Sequence, residues 1–303
     1  MSDTARRSRP AVVWSLWVVA ALLLLPVLTG WTYAAVVAGT ALLLAALPSL
    51  RPWHPDPGRD DRELVVMAGL YVGVVALMRA AFVGFGTEQV AGLFLFFAAA
   101  LLLGVLGPVF YETWAGHRPL RALGLRLDNW RPTLALGLLF AAVQFALTLW
   151  GFDLPAAEDW VPLLVMALVV GMFESVFFRG FVQNRLTDRF GPVVGVAVAA
   201  LAYGLYHVGY GMGLTEIGFL TGLGVVYSVA FAIVRNVLVL WPLLTPMGSF
   251  FANVSNGDIE LPWASIMGFA DVAGFMVAGG WIAWRHHRKE QRAGGRPHGL
   301  VVT

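Results

Sequence analysis

Runs of about 18 or more apolar residues recur along the whole chain, and no other feature limits its fold so strongly. Each is long enough to cross a hydrocarbon core as an α-helix. The charge content agrees: 13% of the 303 residues are charged, about half the share of a soluble domain. The expected fold class is all-α, a polytopic transmembrane helical bundle of about ten spans (eight to ten). The spans fall near 11–29, 31–49, 64–85, 89–111, 132–152, 161–186, 192–209, 214–234, 237–252 and 262–284. The second and ninth are the least regular, being short or interrupted by proline and glycine. The first follows the basic stretch RRSRP, yet its apolar core is longer than a signal peptide's and more spans follow directly. It reads as a retained anchor.

The placement of Lys and Arg sets the orientation. With both termini cytoplasmic, the cytoplasmic segments hold Arg6, Arg7 and Arg9; Arg51, Arg59 and Arg62; and Arg118, Arg121, Arg126 and Arg131. Further along they hold Arg185 and Arg189; Arg235; and Arg285, Arg288, Lys289, Arg292 and Arg296. These are 18 of the 20 basic residues, and the other two, Arg79 and Arg179, lie within spans. Loops on the other side, such as GFDLPAAED and NVSNGDIELP, carry none. The expected localisation is the cell membrane, multi-pass, with the lipid bilayer as one partner. Most tryptophans near span ends (Trp14, Trp31, Trp130, Trp160, Trp263, Trp284) fit an aromatic belt. Cysteine is absent, which excludes disulfides, zinc–thiolate sites and cysteine nucleophiles. No feature suggests nucleic acid as a partner.

The polar loop GHRPLRALGLRLDNWRP, 116–132, divides the chain. Residues 1–115 form an N-terminal transmembrane region of four spans with few polar residues. Residues 116–260 contain nearly every polar intramembrane side chain and read as the working core. Residues 261–303 are a final span and a basic cytoplasmic tail.

Within that core, GMFESVFFRGF (171–181) places Glu174 and Arg179 inside a span. A charge near the bilayer centre costs at least a few kcal/mol, so such residues are functional suspects. Glu174 precedes the turn RFGP (189–192) by about as many residues as His207, in AYGLYHVGYG, follows it. In an antiparallel hairpin both would lie roughly 20–25 Å from the bend. A carboxylate and an imidazole at one depth are the minimum equipment for activating a water: the first accepts its proton, the second orients it. Each can equally be a neutral, hydrogen-bonded group that packs helices together. Arg179 is five residues from Glu174, about 140° around an α-helix. It is therefore expected to bind neighbouring carbonyls or another acid, or to snorkel to the headgroups. Arg79, Glu112 and Asp271 read as paired charges or interface anchors.

The residues here reach a resemblance. Glu174-Ser175-Val176-Phe177-Phe178-Arg179-Gly180 resembles the first motif of the CAAX-protease and bacteriocin-processing (CPBP) intramembrane proteases, Glu-Glu-x-x-x-Arg followed by Gly. Tyr203-Gly204-Leu205-Tyr206-His207 resembles the second, Phe-x-x-x-His, with Tyr203 for Phe. The third, His-x-x-x-Asn or Asp, finds its best counterpart in Ser249-Phe250-Phe251-Ala252-Asn253. LGLRLDNWRP is similar to the Leu-Gly-Leu start of the family's core, so the resemblance covers roughly 120–255. It implies an endopeptidase like the type II CAAX prenyl endopeptidases, with partly degenerate motifs, acting on a membrane-associated protein or peptide.

Glu174 would be the general base, and His207 would hold the water and the developing charge. Asn253 and Ser249 would donate hydrogen bonds to an oxyanion, and Arg179, Ser175 and Tyr203 are motif or structural positions. Two departures stand out: Ser175 replaces a Glu, and Ser249 replaces a His. The family is described both as metal-dependent and as glutamate-dependent. The remaining histidines, His54, His117, His286, His287 and His298, fall in loops or the tail, and catalytic zinc normally needs three protein ligands. No metal or other cofactor is expected, zinc being allowed by family analogy but disfavoured. The alternative is a catalytically degenerate scaffold, maturation or immunity factor on the same fold. A small-solute transporter lacks support, since no inverted repeat or pair of broken helices is visible.

Overall fold

The computed structural model describes residues 3–50, 62–86, 89–148, 156, 159–255 and scattered positions from 269 to 288. Among these the chain is helical and contains no strand, as expected of apolar segments that must satisfy their own backbone groups in lipid. Helix α1 is Asp3–Leu23, α2 is Gly30–Ala46, and α3, Arg62–Arg79, is prolonged by a π-helical stretch Ala80–Phe85. Helix α4 (Val90–Phe97), a π stretch Ala98–Leu106, α5 (Gly107–Phe110) and a second π stretch Tyr111–Ala115 form one rod. Helix α6 is Trp130–Thr148. A second rod joins α7 (Trp160–Glu174), a π stretch Ser175–Gln183 and α8 (Asn184–Phe190). Then come α9 (Pro192–Tyr206) with a 3-10 turn His207–Tyr210, α10 (Leu214–Val234) and α11 (Leu244–Ser255).

Among the described residues six helices are long and apolar enough to cross a membrane: Arg62–Phe85, Val90–Ala115, Trp130–Leu147, Trp160–Phe190, Pro192–Tyr210 and Leu214–Val234. The apolar parts of the first two helices, Pro10–Leu23 and Gly30–Ala46, are shorter. The ninth expected span, 237–252, is not one helix. A 3-10 turn Val237–Val239 precedes α11, because Pro242 withholds a backbone donor that a continuous helix would need. Most of the tenth, 262–284, including Asp271, lies outside the described residues.

The rod Trp160–Phe190 and helix α10 form the centre of the bundle, with 72% of each apolar window buried against 17% for Arg62–Phe85. The chain turns between α8 and α9 at Gly191, whose φ of 86° suits glycine. Pro192 then opens α9, where no donor is required. The hairpin arms pack closely because Gly195 has no Cβ to strike Thr187. Helix α10 runs back parallel to the α7–α8 rod, and α11 lies on α7, with Pro246 resting on Gly171 and Trp241 Nε1 donating to the Leu168 carbonyl at 3.0 Å.

One end of the bundle gathers the 116–129 loop, the α8–α9 turn and the end of α10. Asn184 Nδ2 donates to the Ala122 carbonyl at 3.1 Å, and Asn236 Nδ2 donates to Asn129 Oδ1 at 2.7 Å. Arg235 Nη2 donates to Asp188 Oδ1 at 3.3 Å. In the exposed part of the loop, the Arg126 guanidinium bonds Asp128 and holds its carboxyl below the usual carboxylate range. At the same end four charges close a cluster. Arg118 pairs with Glu63 at 2.7 Å and Glu112 at 3.1 Å, while Arg185 pairs with Glu63 at 3.7 Å and makes a close pair with Glu112. Arg79 works elsewhere: its Nη1 donates to the Val208 carbonyl at 3.0 Å, tying α3 to the turn that begins at His207.

Candidate active site

Glu174 is the last α-helical residue of α7 before the π stretch begins, and it is buried. Helix α9 runs beside it and turns Tyr203 and Tyr206 toward it from one face, as a spacing of three dictates. Tyr206 donates its hydroxyl to Glu174 Oε1 at 2.5 Å, and Tyr203 donates to Oε2 at 3.3 Å. Phe173 and Phe178 close over Tyr206, with ring centroids 5.7 and 4.8 Å away. The carboxylate therefore sits in an aromatic enclosure with two hydroxyl donors.

His207 follows one residue later, where α9 tightens into the 3-10 turn. Its Nδ1 lies 2.9 Å from the Tyr203 carbonyl. A carbonyl only accepts, so Nδ1 carries a proton, and in the neutral ring Nε2 is left with a lone pair. The ring packs against Tyr206 at 4.0 Å between centroids, and against Tyr203 and Tyr210 at 5.2 and 5.4 Å. Glu174 and His207 share no direct hydrogen bond or ion pair. Tyr206 links them, its hydroxyl on the carboxylate and its ring on the imidazole.

Arg179 is 1% exposed. Its guanidinium lies 4.5 Å from the Tyr203 ring centroid and 5.8 Å from that of Tyr227, and Nη2 donates to the Gly224 carbonyl at 3.3 Å. A neighbouring carbonyl is one of the expected partners, the others being another acid or the headgroups. The reason is not α-helical geometry, because Ser175–Gln183 is π-helical; an i→i+5 helix brings residues five apart onto nearby faces. The cation is thus stacked on a tyrosine that itself holds Glu174. Gly180, next in the chain, has no Cβ to strike the Leu123 carbonyl, and the 116–129 loop docks there.

Ser175 donates to the Gly171 carbonyl at 2.7 Å and shares a 3.0 Å hydrogen bond with Thr245 Oγ1. Thr245 also reaches the Gly171 carbonyl at 3.1 Å, so these hydroxyls fix the start of α11 against the end of α7. Ser249 is half-buried on α11, four residues after Thr245 and on the same face. Asn253 belongs to the last turn of α11, and its side chain lies outside the described residues. Residues that no motif pointed to complete the surroundings: Tyr206, Tyr210, Thr245, and the mutually bonded pair Gln144 and Tyr227, 3.1 Å apart. The tyrosines 203, 206 and 210 recur at helical spacing, but that spacing does not tell which way their hydroxyls point; Thr245 and Gln144 had no signal at all. Among the described residues no group of three His, Asp or Glu stands close enough to hold a metal ion. Glu174 and His207 supply two strong donors, which is short of a catalytic zinc set.

Residues 155–245 match the family described as Type II CAAX prenyl endopeptidase Rce1-like. That range runs from before α7 to Thr245 and includes Glu174, Arg179, Tyr203 and His207, while Ser249 and Asn253 fall beyond it. No curated protein and no solved structure matches the chain.

Proposed function

We propose that this chain, a member of the CPBP family through residues 155–245, is an intramembrane endopeptidase. It hydrolyses a peptide bond of a membrane-associated protein or peptide. The observation that carries this reading is the buried Glu174, oriented by two tyrosine hydroxyls and sharing Tyr206 with an imidazole whose Nδ1 is held on the Tyr203 carbonyl.

A carboxylate offers about four lone-pair sites, and the tyrosines occupy two. A water bonded to a third gives its proton to Glu174 as its oxygen attacks the scissile carbonyl, and Glu174 then passes that proton to the departing amine. His207 Nε2 accepts the water's other hydrogen and fixes its direction. The tetrahedral oxyanion is stabilised by donors from α11, Ser249 and Asn253, with the Arg179 cation behind Tyr203. Bond making and breaking need no metal in this scheme. The bundle spans the cell membrane eight to ten times with both termini cytoplasmic, and nucleic acid is not a partner.

One observation favours the scaffold reading. Both oxygens of Glu174 already accept hydrogen bonds, and Ser175 occupies the place of a second carboxylate with its hydroxyl bonded to Gly171 and Thr245. Glu174→Gln separates the two readings. It keeps the shape of the side chain and removes the proton acceptor, so cleavage of a membrane-associated substrate falls about 10²–10⁴-fold at unchanged abundance and thermal stability. Processing measured in cells at matched expression decides it: full retention with Glu174→Gln removes catalysis and leaves the scaffold.

A further inference from the structure

A second set of buried polar groups lies along one seam, between the Ser175–Gln183 stretch with α8 and the parallel helix α10. Arg179 Nη2 donates to the Gly224 carbonyl at 3.3 Å, and Gln183 Nε2 donates to the Ser228 carbonyl at 2.8 Å. Both bonds join residues 45 apart, and the same offset continues to Thr187 and Ala232, which face one cavity. Each link leaves atoms over. Nε and Nη1 of Arg179, Oε1 of Gln183 and Oγ of Ser228 are buried without a hydrogen-bond partner, on side chains of residues 1%, 2% and 0% exposed.

A buried polar atom left unserved is costly, and ordered water is one of the partners that serve such atoms in folded proteins. The seam ends in a place for one. A cavity of about 10 Å³ is bounded by Gln183, Asn184, Thr187, Phe231 and Arg235, room for roughly one water with several polar partners. Arg235, which lines it, has a side chain 41% exposed at the basic end of the bundle. From Thr187 back to Glu174 the rod covers about 20 Å, otherwise walled by aromatic and aliphatic side chains.

We propose that this seam conducts water from the Arg235 end to Glu174. Water enters the cavity, is held at Gln183 Oε1, and passes Ser228 Oγ to the free edge of Arg179. Arg179 lies against Tyr203, which bonds Glu174. The use of that water in hydrolysis rests on the proposed endopeptidase function; its presence in the seam does not.

Hydroxyl-radical footprinting tests the path, because radicals made by radiolysis mark side chains beside ordered water. The full-length protein is irradiated in lipid nanodiscs, and oxidation is read at Phe231 and Tyr227, each 1% exposed, against Phe97 at 0%. Phe231 and Tyr227 are expected to oxidise several-fold faster than Phe97. Ala232→Leu, which fills the cavity wall, and Gln183→Leu, which adds little volume and removes the carbonyl, should each bring Tyr227 down to the Phe97 rate. If Ala232→Leu does not accumulate, Gln183→Leu carries the comparison. Where cleavage is measurable, both variants lower kcat several-fold with KM unchanged. Equal oxidation of all three residues, or labelling that neither variant changes, overturns the path. Glu174→Gln separates this from the catalytic reading: labelling there stays as in the parent chain, whether or not cleavage is lost.

Discussion

Tyr206 holds more of the site together than its place between two motif residues suggests. It donates to Glu174 at 2.5 Å and packs its ring on His207 at 4.0 Å. Tyr206→Phe keeps the packing and leaves Oε1 without that donor, a loss of about 1–3 kcal/mol. Falling on the transition state, this lowers kcat/KM about 5- to 160-fold. Tyr203→Phe breaks a longer bond, 3.3 Å, and should cost less, so the ratio of the two losses in one peptide-cleavage assay checks the geometry. The donor set makes a second prediction. With Glu174 and His207 as the strong ligands at the site among the described residues, purified protein should contain no stoichiometric zinc, and chelators should leave cleavage intact. Elemental analysis finding one zinc per chain, lost with His207→Ala, would count against it. Glu174, Arg179 and His207 could be read from the sequence because a titratable side chain in an apolar run is expensive. Tyr206 and Tyr227 could not, because a ring with a polar tip is ordinary near a membrane and only the fold directs that tip inward.

The π stretch Ser175–Gln183 shows what a helical rod can hide. Apart from Gly180 it has no helix breaker, so α-helical periodicity is the natural assumption, and it misplaces the direction of Arg179 by a large angle. The hairpin after it was legible, since RFGP combines a glycine for the positive φ with a proline that can open a helix. The break at Pro242 was less so: hydropathy over 237–252 is continuous even though the backbone is not. Close backbone approach makes Gly180 testable. A methyl group there meets the Leu123 carbonyl, and Gly180→Ala should destabilise the fold by about 1–3 kcal/mol, read as a lower unfolding temperature in detergent. The buried pair of α8 and the preceding rod gives a larger effect. Arg185→Leu alone leaves Glu112 short of a cation and should cost about 3–5 kcal/mol. Arg185→Leu combined with Glu112→Leu should cost less than the two singles added.

The bundle collects its basic loops at one end, since the 116–129 loop, the α8–α9 turn and Arg235 are bonded to one another there. The positive-inside tendency predicts that this end faces the cytoplasm. Because the chain has no cysteine, single thiols can report it. An impermeant maleimide added to intact cells should label Leu214→Cys and spare Asp128→Cys, and the reverse pattern would invert the topology. The four charges at this end also have a history in time. Glu63, Glu112 and Arg118 are synthesised before Arg185, and a ribosome adding about 5–20 residues per second takes roughly 4–15 s to travel from Glu112 to Arg185. During that interval the pairs that Arg185 makes with Glu63 and Glu112 are missing. The Arg185 guanidinium arrives with the rod that carries Glu174, so this charge cluster of the early helices is completed by the same segment that brings the buried carboxylate.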